Sequence, residues 1–591
     1  MKATCRMVRA TRFMAAGCAL AVFALAKFVV GANVDVYDTT GGVTDYRIEP
    51  GDVLTVHGDA LTDDICVWLN GGELRIVGDV TIAAAITQDV ASVIFLEGER
   101  NVKFTGALVL AGAAAGNDLV ITGDVASANS TLTFSGTWDT ATTKDSVYIK
   151  TGTTVFTNGT FTIGGCLFWE GTQVGNVIVD KDATLEISDR ENAKPSSKWV
   201  PHFRPFSNGK VFEVRTGGIM RFGPYRQFLV GTGTLEYAGG AANGTGWNSR
   251  LRIAGGDILW YGQGTSRDDV NGTSTDGVIL YGRRINVSDP AESLAAILEI
   301  AGGSFATGGA VNRYGSFTSW ESYMKVIWSG GTWKPLRNYY GNMDFSLTKT
   351  AQNQKRFNMP CDITGDVTLD LSEVATGNGV NQLRQTSYET DPDNGRWTGC
   401  STASLTVIGG NNLTRGFIRM SSFHPNGMAL SLTRRARMIA LELDRGEQRF
   451  RSMSIDANCY FQATNANVIL TTVGATVPPA DRLLAPQVDM VQDAEGTLGT
   501  VRLSLAYGQD TYAGTCFAPV AGGVLYLSDV PAEETLADYN LPAVFTSVQN
   551  RENLKTWTLY VNGAAVGGRS VACDATGQLK IVRKGLRIEF F

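Results

Sequence analysis

From Asp35 onward the chain places an apolar side chain at every second position in runs of four to seven residues. Examples are VLTVHGD (residues 53–59), ELRIVGDVTI (73–82), DLVITGDV (118–125), TLTFSG (131–136), VYIKTGTTVF (147–156) and NVIVDKDATLEI (176–187). A period of two is that of a β-strand with one face buried, so these runs predict short strands. Helical periodicity is almost absent. PAESLAAILEIAGG (290–303) comes nearest to a helix, and it ends in a strand phrase.

Glycine separates the runs, often in the same words. ITGDV stands at residues 121–125 and again at 363–367, with IVGDV at 76–80; LRIAGGD (251–257), LEIAGGS (298–304) and VIWSGGT (326–332) form a second set. Leu251 and Leu298 lie 47 residues apart, read here as two turns of about 23, and Val326 follows Leu298 by 28. Fixed spacing of one strand phrase marks a stacked solenoid. The expected fold class is all-β: a long parallel β-helix (solenoid), with each glycine phrase at a corner where glycine adopts positive φ. Residues 35–475 would then make about nineteen turns, a rod of about 90 Å at ~4.8 Å per turn. The prolines Pro478, Pro479 and Pro486 mark a boundary, which predicts a solenoid over 33–477 and a small C-terminal β module over 487–591. In that module the turns Asn562-Gly563, Gly567-Gly568 and Thr576-Gly577 join three or four antiparallel strands, a cap or attachment element.

Such irregular, Gly- and Thr-rich LxIxGGxx strands resemble the β-helical passenger regions of bacterial autotransporter-like surface proteins, including those built from autotransporter-associated β-strand repeats. The resemblance spans about residues 50–470 and implies a secreted or cell-surface solenoid of adhesive or structural role. The chain departs from that pattern after VGATVPPADRLLAPQ (473–487): about a hundred residues are too few for a translocating barrel, and GLRIEFF carries Glu589 where a terminal membrane strand wants an apolar residue.

Composition agrees with sheet and turns. Glycine supplies 68 of 591 residues, above the usual ~7%, and proline only 16. Lys2, Arg6, Arg9 and Arg12 precede an apolar stretch at 13–26 and the small residues Val30, Gly31 and Ala32, so residues 1–32 read as an export leader cut after Ala32. No later stretch is apolar enough to span a bilayer, and the expected location is extracellular. Removing the leader takes five positive charges and moves the net charge from −6 to −11, which disfavours nucleic acid or an anionic membrane surface as a partner, and none is expected. Seven cysteines remain without a CxxC; Cys361 with Cys400, and Cys459 with Cys516, are the pairs considered for bridges.

Candidate chemistry is sparse. His57, His202 and His424 are the only histidines, none in metal-ligand or catalytic spacing, and His57 alternates with Val56 and Leu54 in a strand. Two acidic clusters, Asp268, Asp269 and Asp276 beside Arg267, and Asp391 and Asp393 beside Arg396, have the residue types to hold Ca²⁺ and an acidic sugar; solvated loop charges explain them equally. Calcium is the one ion considered, and no other cofactor is expected. Between 314 and 345 an aromatic stretch includes Trp320, Tyr323, Trp328, Trp333 and Tyr339, either a stacking platform for glycan rings or part of the core. If the glycines between them keep register, Trp328 and Trp333 fall on opposite sides of the strand. The expected function is a structural or adhesive surface rod whose partner is a polysaccharide or cell-surface glycan. A Ca²⁺-dependent polysaccharide lyase and non-catalytic glycan binding are the alternatives.

Overall fold

The computed structural model describes the strands and tight corners between residues 27 and 584. It leaves out 1–26, 585–591 and connections that include 112–117, 140–145, 188–201, 232–247, 261–276, 282–295, 315–323, 337–355, 375–382, 386–395, 472–487 and 492–500, besides shorter stretches. The described chain is nearly all strand, and neighbouring strands pair in parallel, turn upon turn. It is a parallel β-helix.

Three parallel ladders run side by side, and the chain visits them in a constant order. The first face carries Val53–Val56, Glu73–Ile76 and Ser92–Leu96; the second carries Val80–Ile82, Asn101–Phe104 and Thr131–Phe134; the third carries Cys66–Asn70, Ala85–Val90 and Ala107–Leu110. Longer strands such as Val147–Phe156 and Ser249–Trp260 bend across a corner and serve two faces. Alternation along each strand sends one column of apolar side chains inward per register position. On the first face that column is Leu54, Leu74, Ile94, Ile121, Ile149, Trp169, Phe203 and Val230, every one buried. Each such side chain contributes about 1.5–3 kcal/mol by leaving water, and the stack shares them between turns.

Turn length varies more than the repeated phrases imply. Leu251 pairs directly with Leu298, so those 47 residues are one turn and not two; the surplus is carried by connections on either side of Gly277–Tyr281. On the third face the described layers are Lys27–Val30, Val43–Ile48, Cys66–Asn70, Ala85–Val90, Ala107–Leu110, Thr137–Asp139, Thr160–Ile163, Thr184–Ile187 and Ile219–Phe222. The second halves of Ser249–Trp260, Ala296–Thr307 and Met324–Pro335 follow, then Asp366–Asp370, Ser404–Ile408, Met428–Thr433 and the end of Glu447–Ile455. Sixteen layers stand on the third face, and the second-face ladder adds four more through Asn467–Thr471, Val501–Ala506, Val524–Ser528 and Thr558–Val561, so the described stack has twenty layers, about 90 Å at ~4.8 Å per layer, spread over more of the chain than the 35–475 expected. The second face runs on to Val501–Ala506, Val524–Ser528 and Thr558–Val561, so its ladder stands on both sides of the expected boundary at 478–486, which lies outside the described residues. Near the C-terminus Arg569–Cys573 and Gln578–Arg583 pair antiparallel, and Asn562 and Gly563, both at positive φ, turn Thr558–Val561 back onto Ala564–Ala565.

The recurring GDV has a specific cause. Gly78, Gly123 and Gly365 do not adopt positive φ; a Cβ on any of them would overlap the carbonyl oxygen of the preceding turn, from His57, Leu96 and Ser329 respectively. The aspartate beside each glycine then ties two turns together. Asp79 accepts the Asn101 N–H at 2.8 Å, Asp124 accepts the Gly98 N–H at 2.9 Å, and Asp366 accepts the Ser404 hydroxyl at 2.6 Å. In the second set of phrases the expectation of positive φ holds, at Gly255, Gly303 and Gly331.

Candidate functional site

The three corners of each turn are unequal. Between the second and third faces the chain crosses in a few residues wherever both strands are described, as at 83–84, 105–106, 135–136, 157–159, 216–218 and 364–365, and the longest crossing is 399–403. Long connections begin or end on the first face: 188–201, 231–248, 261–276, 282–295, 336–355, 371–382 and 386–396. Among the described residues the long insertions thus flank one face of a rigid stack, which holds the ends of each loop in place.

On the outer side of that face, one register position aligns Val120, Tyr148, Phe168 and His202. Parallel in-register pairing stacks them: the Tyr148 and Phe168 rings lie 4.7 Å apart, and Phe168 and the His202 imidazole 4.5 Å apart. Two residues further along, the outer side carries Lys150, Glu170 and Arg204, with Glu170 directly beside Arg204 in the ladder. His202 Nε2 and Glu170 Oε2 are 2.8 Å apart. Burial pushes the Glu170 carboxyl up, but the His202 hydrogen bond and the charges of His202, Arg204 and Lys150 outweigh it and hold the group below its usual range. The strand His202–Pro205 is buried on both sides, so Phe168, His202 and Arg204 form the back of the cluster. Tyr148, Glu170 and Lys150 form its accessible rim, with the Lys150 ammonium 5.6 Å from the centre of the Tyr148 ring. Such a rim offers an aromatic stacking face, an ionised acceptor and a cation.

His202 stands in the sequence without a catalytic or metal-ligand spacing, and nothing along the chain marks Glu170 as its neighbour. They sit 32 residues apart, and the connection 188–201 makes that turn far longer than the assumed 23, so no fixed period would have paired them.

The residues singled out from sequence are distributed differently. Trp328 and Trp333 are core and not platform: Trp328 lies in the inward column of the second face between Ile300 and Ile363, and Trp333 in that of the third between Phe305 and Leu369. The bend at Gly330 and Gly331, with Gly331 at φ 73°, shifts the alternation by one position, so both rings point inward and pack on Trp397 at 6.0 and 5.7 Å. Trp320, Tyr323 and Tyr339 lie outside the described residues, as do Asp268, Asp269, Asp276, Asp391 and Asp393; all eight fall within connections that join the first face. Among the described residues no group of three or more His, Cys, Asp or Glu side chains is placed to hold a metal ion, and no helix is long and apolar enough to cross a membrane. Cys361 and Cys400 are both unbridged thiols: Cys361 is buried in the inward column of the second face, and Cys400 is half-exposed beyond the strand end, 3.3 Å from the Thr402 hydroxyl.

No protein-family model and no curated protein matches the chain.

Proposed function

We propose that the protein is an exported β-helical rod of structural and adhesive role, which meets its partner along the first face. One observation carries the reading: among the described turns the long connections join that face, while the opposite seam is crossed in a few residues wherever both of its strands are described. A catalyst needs one local constellation, whereas a surface repeated along a stiff stack suits multivalent contact, where many weak interactions add. The rim of Tyr148, Lys150 and Glu170 supplies chemistry suited to sugar rings and their hydroxyl groups. Glycan binding on a surface-exposed rod accounts for all three.

The test is retention of the full chain on immobilised neutral and acidic polysaccharides, with Ca²⁺ or chelator, while new chain ends and unsaturated products are scored. Retention without products is expected, reduced several-fold by Tyr148→Ala but not by Lys103→Ala on the second face. Calcium-dependent products would replace this reading with a lyase. No retention on any matrix would remove its adhesive part.

A further inference from the structure

Where the chain arrives on the second face from the first, an open surface depression of about 450 Å³ is lined by Gly209, Val211, Asn248, Arg250, Arg252 and Glu299. That volume lies within the range of small-molecule sites, ~300–1,000 Å³. Arg250 and Arg252 are two apart on one strand and so share its outer side. In the ladder Arg252 lies between Glu213 of the turn before and Glu299 of the turn after.

The carboxylates are committed to aiming the guanidinium groups. Glu299 takes Arg250 Nη1 at 3.0 Å and Arg252 Nε at 3.3 Å on separate oxygens; Glu213 takes Arg252 Nη1 at 3.4 Å on one oxygen and Arg215 Nε at 2.7 Å on the other. A guanidinium has five N–H donors. The hydrogen bonds engage one donor of Arg250 and one of Arg252, while Arg252 Nε is buried beside Glu299 without one; the other Nη donors of the pair are left for a ligand. The lining carries two positive charges and one negative, beside the apolar Val211 and a glycine with no side chain.

We propose that this depression binds an oxyanion, the carboxylate or sulfate of a single acidic sugar unit, through paired N–H donors of Arg250 and Arg252. Planar guanidinium groups fixed by acidic neighbours match the geometry of a carboxylate or sulfate edge. Glu299 competes with the ligand for the donors of both arginines. That the oxyanion belongs to a sugar rests on the adhesive reading above; the oxyanion site does not.

Titration calorimetry of the full chain with trigalacturonate, a sulfated trisaccharide and a neutral trisaccharide at low salt tests it. Both charged probes are expected to bind and the neutral one not. Arg250→Gln and Arg252→Gln should each weaken binding about tenfold or more, and Glu299→Gln should tighten it several-fold by freeing donors. Thermal melting identifies variants that fail to fold, and Arg250→Gln, which breaks only one ion pair, keeps the test valid if Arg252→Gln unfolds. Equal binding of the neutral probe, no binding of either charged one, or weakening by Glu299→Gln would overturn the proposal. Loss of charged-probe binding with polysaccharide retention intact would defeat the oxyanion site alone.

Discussion

Gly78 illustrates how much of this molecule is decided by single residues. Its hydrogen faces the His57 carbonyl of the turn below, where a methyl group has no room, and the neighbouring Asp79 ties the corner to Asn101 above. Gly78→Ala should therefore lower stability by roughly 1–3 kcal/mol, as overpacking against immobile backbone does, read as a fall in denaturant midpoint at unchanged slope. Recurrence of the phrase was visible in the sequence, and so was its place at corners. Its reason was not: close approach of two turns depends on the neighbour above or below, and no local pattern of residues records it. The same holds for Trp328 and Trp333, whose positions follow from one extra residue at the Gly330–Gly331 bend.

At the scale of the strand, alternation made the elements legible and left their partners open. Strands such as Val53–Val56 and Glu73–Ile76 can be read off the chain because each buries one side. Which strand follows which depends on connection length, and connections here range from one residue, Ala91, to the stretch 336–355. The pairing of Leu167–Val179 with His202–Pro205 is a case in point, since it alone brings Glu170 to His202. A glutamate whose folded-state carboxyl lies below its unfolded value adds stability above about pH 4.5, and that stability drains away as pH falls through the folded value. Glu170→Gln should flatten this acid limb: between pH 5 and pH 3 the variant should lose less melting temperature than the parent chain. An equal loss in both would show that the Glu170–His202 contact adds nothing to folding.

The whole molecule is a stack whose length follows from layer count. Counted along the second and third faces together, twenty described layers give about 90 Å, so small-angle scattering should report an elongated particle with a repetitive section of that length. A compact particle would exclude the stack. Lys27–Val30 pairs with Val43–Ile48 as the lowest layer of the third face, yet falls within the expected leader; a cut after Ala32 removes that strand and shortens the stack by one layer. Net charge, −6 over the full chain, sits beside a local arginine pair at the Arg250–Arg252 depression, so a bulk property and a site property have opposite sign. Composition could report only the first.

Stacking by direct succession also bears on how such a chain reaches its final form. Every described pairing of one turn with the next joins residues tens of positions apart, never opposite ends of a 591-residue chain. Parallel sheets ordinarily assemble slowly because their partners are remote in sequence. Here the seat for Gly78 is the carbonyl of His57, and that for Gly123 the carbonyl of Leu96, so each turn is finished only on a completed predecessor. Growth from a first nucleus, turn by turn, lets a very long β chain fold through a succession of short searches.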